Sequence, residues 1–358
     1  MDKNSAIGLT LILLIFIGFQ ALMGPTAEEK AEAQRIHDSI AAVETEQQRL
    51  NEPIIEEAVA QLTDPLNNAV EVNAVPDSIA QIKLKSQYGS FGDAAIGENG
   101  TIVIENELLA ITVSKKGGHP LSVQLKKYQT HDSLPLMLFK GDENRFSLEF
   151  FSENNRIVTQ DLYFEPSAQG FSISGEDEKS LTMRLPAGQD KYLEYVYRLK
   201  GNSYMVDFDI NMVGLDNVIE RNTRSLDLHW KHDLPSQEKS FENERLNSTI
   251  YYRFSDEEVD YLSEGSDDKE EIQADLQWVA FKQQFFSTVL IAKDGWESPT
   301  DIETTHIEEN DSIVKTCDAK LTIPYTGQEV EQVELQFYFG PNHYNSLKKL
   351  DLGLEEMI

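Results

Sequence analysis

"KYLEYVYRLK", Lys191 to Lys200, and "YMVDFDINMV", Tyr204 to Val213, alternate apolar and polar residues with a period of two. Successive side chains of an extended chain point to opposite faces, so each segment reads as a strand with one buried face. The same texture recurs on either side of the pair. "TIVIENELLAITVS" (101–114), "LSVQLKKY" (121–128), "RFSLEFF" (145–151), "GFSISG" (170–175) and "LTMRL" (181–185) precede it. "SLDLHWKH" (225–232), "STIYYRF" (248–254), "AKLTI" (319–323) and "QVELQFYFG" (332–340) follow. Gly, Asn, Asp and Pro break the runs at close intervals, which is the pattern of antiparallel sheet. Long helical periods are almost absent between them, so strand–helix winding is disfavoured. The expected fold is all-β, one unit over residues 88–341, with a sandwich burying the one-faced strands.

One stretch breaks the alternation. In "DLQWVAFKQQFFSTVLIA" (275–292), Phe285, Ser287, Val289 and Ile291 fall on one face, and Phe286, Thr288, Leu290 and Ala292 on the other. A strand apolar on both faces belongs between two sheets or beneath a covering loop. Trp278, Phe281 and Phe285 are expected in the core rather than along a ligand groove, because aromatic rings bury large areas wherever they pack. Lys282 and two glutamines interrupt the run, which is too short to cross a bilayer.

A second apolar run opens the chain. Residues 6–23, "AIGLTLILLIFIGFQALM", carry no charge, and as a helix they would span about 27 Å, near the hydrocarbon thickness of a membrane. The exit "QALMGPTAEE" lacks an A-x-A cleavage pattern and places Pro25 where a cut would fall. An uncleaved transmembrane anchor is therefore expected, not a signal peptide. Residues 1–5, with Lys3, stay cytoplasmic, and the acidic chain from Gly24 onward lies outside the cytoplasm. Residues 24–87 read as an acidic, partly helical and otherwise flexible tether punctuated by Pro53 and Pro65. Its apolar seam of Ile36, Ile40, Val43 and Leu50 is too short and irregular for a coiled coil.

The 358 residues carry a formal charge of −31, which argues against nucleic acid or a broad anionic lipid face as a partner. The single cysteine, Cys317, excludes an intramolecular disulfide and a cysteine metal cluster. Its strand-like neighbourhood, "SIVKTCDAKLTI", makes an inert, partly buried thiol the expectation. Of the seven histidines, His229 and His232 lie close in "HWKHD". On a strand, residues three apart face opposite sides and cannot grip one metal. "KKGGHPLSV" reads as a tight turn at Gly117 and Gly118 rather than a phosphate cradle. "LSEGSDDKEE" lacks EF-hand spacing and reads as a solvated surface loop. With no zinc-protease, Walker or nucleophile-elbow motif, the expectation is a protein without catalytic residues, metal or cofactor.

Several stretches together resemble one family. "MDKNSAIGLTLILLIFIGF" looks like the first transmembrane segment of the YidC family of bacterial membrane protein insertases. "ENELLAITVSKKGGHPLSVQLKKYQTHDSLPLMLF" is similar to the start of that family's large periplasmic domain. "QEKSFENERLNSTIYYRFSDEEVDYLSEG" and "LQWVAFKQQFFSTVLIA" match in the manner of members from Bacteroidota. "LQFYFGPNHYNSLKKLDLGLEEMI" looks like the domain's last strand and the connector to the next membrane helix. The resemblance implies a β-supersandwich akin to galactose mutarotase, set in the periplasm and anchored in the bacterial inner membrane. It implies insertion and folding of nascent inner-membrane proteins, alone or with the Sec translocon and its accessory subunits, without covalent chemistry. The family's hydrated groove belongs to a five-helix bundle beyond this domain. The chain stops at Ile358, where that bundle would begin, so it is expected to supply docking rather than insertion.

The end of the sequence, 342–358, reads as a short connector helix. Tyr344, Leu347, Leu350 and Leu354 recur at helical spacing and form the candidate partner-contact face. Packing of that helix on its own sandwich is the competing reading. A carbohydrate-binding or mutarotase-like protein is the functional alternative, with His119, His229 and His232 as acid–base candidates by residue type only. A periplasmic holdase chaperone is a third, which requires an exposed apolar patch.

Overall fold

The computed structural model describes residues 75–358, apart from Glu257 and residues 308–311. The expected anchor at 6–23 and residues 24–74 of the expected tether lie outside the described residues. Helix α1 (Val75–Tyr88) comes first, followed by a 3-10 segment, Gly89–Ala95, that buries Phe91.

The alternating segments form two sheets. The smaller has five strands: β1 (Thr101–Glu105), β2 (Leu109–Ser114), β3 (Pro120–Gln129), β4 (Pro135–Lys140) and β8 (Gly170–Ser172), in the order β4-β3-β2-β1-β8. The larger has fourteen. It begins with β5 (Arg145–Ser152), β6 (Asn155–Val158), β7 (Glu165–Pro166), β9 (Glu178–Pro186), β10 (Tyr192–Lys200), β11 (Met205–Val213) and β12 (Ser225–Pro235). Helix α2 (Phe241–Arg245) leads to β13 (Thr249–Phe254), β14 (Val259–Tyr261), β15 (Asp268–Ile272) and β16 (Leu276–Lys282). The sheet is completed by β17 (Phe286–Thr305), β18 (Ile313–Pro324) and β19 (Val330–Pro341).

Strand β17 makes a sandwich out of this one large sheet. Its first part, Phe286–Ala292, pairs with β19; its second, Glu297–Thr305, pairs with β18. Between them the chain bends at Gly295, whose φ of +85° suits glycine, and where a Cβ would lie 3.3 Å from the Leu276 carbonyl oxygen. The two arms face each other across an aromatic core. Phe146 on β5 meets Tyr195, Phe208 and Phe337 on β10, β11 and β19 at ring-centroid distances of 6.1, 5.4 and 5.7 Å. Trp230 on β12 stacks on Phe281 on β16 at 3.8 Å. Such pairs add to the burial of the rings themselves.

The doubly apolar stretch sits where its pattern requires. Leu290 and Ala292 enter the main core, while Val289 and Ile291 enter a second cluster on the outer side of the same strand. Leu347, Leu354 and Met357 from the end of the chain cover that second cluster. Trp278 and Phe281 are fully buried, but Phe285 is exposed, which corrects its expected place in the core. It lies in the Gln283–Phe285 connection between β16 and β17, one residue before the strand resumes. Gly117 and Gly118 form the expected turn, with φ of +81° and +66°, and a Cβ on Gly118 would meet the Phe164 ring at 2.8 Å.

Cys317 is wholly rather than partly buried, and desolvation raises its thiol pKa far above the ordinary range. In the native protein it should resist a thiol-specific reagent at pH 8 and react with one equivalent after unfolding in guanidinium. Full labelling before unfolding would contradict this packing.

Candidate functional site

The end of the chain does not form one helix. Helix α3 (Tyr344–Lys348) stops after five residues; the backbone then takes positive φ at Asp351 and Gly353 before a 3-10 turn at Leu354–Met357. Tyr344, Leu347, Leu350 and Leu354 therefore do not share a single helical face. Leu347 and Leu354 point into the second apolar cluster, Leu350 is half-buried against it, and Tyr344 is exposed. Polar contacts fix the segment as well. The Trp278 indole N–H donates to the Leu352 carbonyl at 2.8 Å, and the Arg253 guanidinium donates to the same oxygen at 3.0 Å. It is a strap held both by apolar burial and by two hydrogen bonds to the Leu352 carbonyl.

Two polar recesses lie elsewhere on the domain, and Arg145 lines both. The larger, about 620 Å³, includes Lys116, His119, Asp142 and Gln160. The smaller, about 360 Å³, includes Glu149, Arg156, Asp227, His229 and Lys320. Strand parity explains the second. Phe146, Leu148 and Phe150 point into the core, which turns Arg145 and Glu149 outward on β5. Glu149 accepts from Arg145 at 2.9 Å and also from Arg156. On β12, His229 faces outward with its Nε2 2.8 Å from Asp318 Oδ1. Burial raises the Asp227 carboxyl, and the nearby Glu149 charge adds to it.

The three candidate histidines are not brought into one acid–base site. His229 and His232 lie on opposite faces of β12, as their spacing requires. His232 is buried and stacks on Phe139 at 3.8 Å, and its Nε2 accepts from the Trp230 indole at 3.1 Å. Burial lowers its pKa well below the usual imidazole value, and His119 lowers it further. His119 donates from Nδ1 to the Pro120 carbonyl at 3.1 Å, and burial lowers its pKa to about 4. Both rings are neutral packing groups at pH 7.

Sequence reasoning missed two buried lysines. Lys315 is completely buried and donates to the carbonyls of Ser263 and Glu264 at 3.3 and 2.8 Å. Lys282 donates to the Asn247 carbonyl at 3.1 Å and lies over the Tyr251 ring at 5.2 Å. Burial lowers both lysine pKa values. The "LSEGSDDKEE" loop thus presents its backbone carbonyls to Lys315. Among the described residues, no group of three or more His, Cys, Asp or Glu is placed to hold a metal ion.

These features define a class: an all-β sandwich with a strapped outer face and charged recesses on its surface. The family follows from comparison of the sequence. The model of the YidC periplasmic domain matches residues 101–358, and the chain belongs to that family. It is 36% identical to the membrane protein insertase YidC of Parabacteroides distasonis, over 99% of this chain and 54% of that one. With the YidC proteins of Porphyromonas gingivalis and Bacteroides fragilis the identities are 34% and 31%, again over 99% of this chain. The chain spans about half the length of the curated relatives it matches.

Among solved structures, a galactose mutarotase related enzyme from Lactobacillus acidophilus is similar at 11% identity. It covers 67% of this chain and 97% of its own, with a TM-score of 0.39. A putative aldose 1-epimerase from Escherichia coli is similar at 9% identity, over 68% of this chain and 100% of its own, with a TM-score of 0.40. Likeness at this level carries no argument about sugar chemistry.

Proposed function

We propose that this chain is the anchor and periplasmic domain of an inner-membrane protein insertase, and that it docks partners and substrates without transforming them. The match of the periplasmic-domain family to residues 101–358 is the observation that carries this reading. Residues 6–23 would be the anchor, 24–87 the tether, 88–341 the periplasmic body and 342–358 the connector. The nascent membrane protein is the substrate, and the Sec translocon with its accessory subunits is the partner. The reading places the bilayer crossing at 6–23 because that stretch is 18 residues long without a charge; among the described residues no helix is long and apolar enough to cross a membrane.

Of the four candidate contact residues, Leu347 and Leu354 are occupied by the domain's own sheet. Leu350 is the one whose half-buried side chain also borders an open groove, with Met205 and Leu352. A photo-crosslinking residue at position 350 of the full chain, expressed in a Bacteroidota cell, should yield adducts with integral membrane components of the translocon. Adducts confined to soluble periplasmic enzymes would refute the docking role.

A further inference from the structure

Ser114 and His119 line the larger recess and are only 8% and 3% exposed. The turn between β2 and β3 brings them together: the Ser114 amide donates to the His119 carbonyl at 2.9 Å, with Gly117 and Gly118 at positive φ between them. His119 Nδ1 donates to the Pro120 carbonyl at 3.1 Å, so its Nε2 carries a lone pair. Among the described residues nothing donates to that nitrogen, and nothing pairs with the Ser114 hydroxyl. Buried polar side chains are ordinarily paired, so two that are not, in the wall of one recess, ask for a partner from outside.

Hydrogen bonds hold the walls in place. The Gly117 amide donates to the Leu162 carbonyl at 2.7 Å, the Phe164 amide to the Lys115 carbonyl at 2.7 Å, and the Lys115 amide to the Gly100 carbonyl at 2.8 Å. The Tyr163 hydroxyl donates to Asn99 Oδ1 at 3.1 Å. The Asn144 side chain donates to the Gly141 carbonyl at 2.9 Å and so closes the turn that carries Asp142.

We infer that this recess binds a neutral, polyhydroxylated ligand of the saccharide class, one hydroxyl donating to His119 Nε2 and another pairing with Ser114. Lys116 and Arg145 face Asp142 and Asp161 across the lining, which leaves it without net charge. The Arg145 guanidinium is already engaged by Glu149 at 2.9 Å. An anion at the floor would set its lone pairs against that of Nε2. An apolar ligand would seal both polar atoms without partners, at a cost. Hydroxyls both donate and accept, so they suit Nε2 and the two aspartates as well as Lys116. The volume of about 620 Å³ lies within the range of small-molecule sites.

The test titrates the full chain, isotope-labelled in its imidazole rings, in micelles of a detergent without sugar headgroups. The probes are glucose, galactose, N-acetylglucosamine and the linear trimer of N-acetylglucosamine, with inorganic phosphate and ethanolamine in parallel. His119→Asn identifies the His119 resonance. At least one saccharide should move that resonance saturably, with a Kd of about 1–10 mM. Ser114→Ala should weaken the same saccharide about tenfold. Asp142→Asn, at an exposed position where the fold is not at stake, should weaken it about threefold. Tighter binding of the trimer than of its monomer would mark the end of a glycan chain as the ligand, and equal binding a single sugar. Saturation by phosphate or ethanolamine with no response to any saccharide would overturn the inference in favour of an ion site. Silence from every probe would overturn it outright, as would a saccharide response that both variants leave unchanged.

Discussion

Trp278→Ala is expected to lower the melting temperature by about 10 °C and to release the C-terminal strap at the same time. The indole is fully buried beneath Leu347, Leu354 and Met357, so its removal leaves a cavity in the second apolar cluster. Losses of this kind cost about 3–5 kcal/mol. The same substitution removes the donor that holds the Leu352 carbonyl, leaving Arg253 to hold it alone. Apolar and polar anchors of residues 343–358 therefore weaken together. Trypsin cleavage after Lys348 and Lys349 should accelerate under conditions where the sandwich itself stays folded. Leu347→Ala separates the two effects, since it detaches the strap while Trp278 remains in place on the sheet. If cleavage at Lys348 in Trp278→Ala tracked global unfolding instead, the strap would be no separate element but a seamless part of the sandwich.

The strap also marks where reading the sequence succeeds and fails. Alternation in "KYLEYVYRLK" and "YMVDFDINMV" reports directly on β10 and β11, because burial on one face imposes a period that the residues carry themselves. The same parity places His229 outward and His232 inward. The doubly apolar run at 286–292 signals two covered faces, yet nothing in it says that the second cover comes from Leu347 and Leu354, more than fifty residues later. Helical spacing suggests one amphipathic face there; Asp351 and Gly353 in left-handed conformations break it after five residues of helix. Lys315 shows the opposite conflict. Parity with Cys317, Ala319 and Leu321 sends it inward, while its charge argues for the surface. Two carbonyls of a distant loop resolve the conflict, and long-range hydrogen bonding of that kind leaves no local pattern to read. Arg145, Glu149 and Arg156 are likewise ordinary surface charges until strand pairing sets them against His229 and Lys320.

Acid should destabilise the domain well before its carboxylates are all protonated, through the two buried histidines. His119 is held neutral by burial, with its pKa lowered from 6.5 to about 4, and His232 is shifted in the same direction. The unfolded chain takes up a proton on each ring as pH drops through about 6.5, whereas the folded chain does not. The stability these rings permit is thus fully present above about pH 6.5 and drains away as pH falls toward 4. For His119 the span corresponds to about 3 kcal/mol. His232 adds to the loss, although the two rings feel each other's charge and their effects will not simply sum. Urea unfolding at pH 7, 5 and 4 measures this directly. His119→Asn keeps a donor for the Pro120 carbonyl but cannot titrate, and between pH 7 and 4 it should lose about 3 kcal/mol less than the parent chain. Carboxylates contribute equally to both proteins and cancel in the difference. Identical losses would mean that the folded domain admits a charged imidazole at position 119, where the buried ring borders the larger recess.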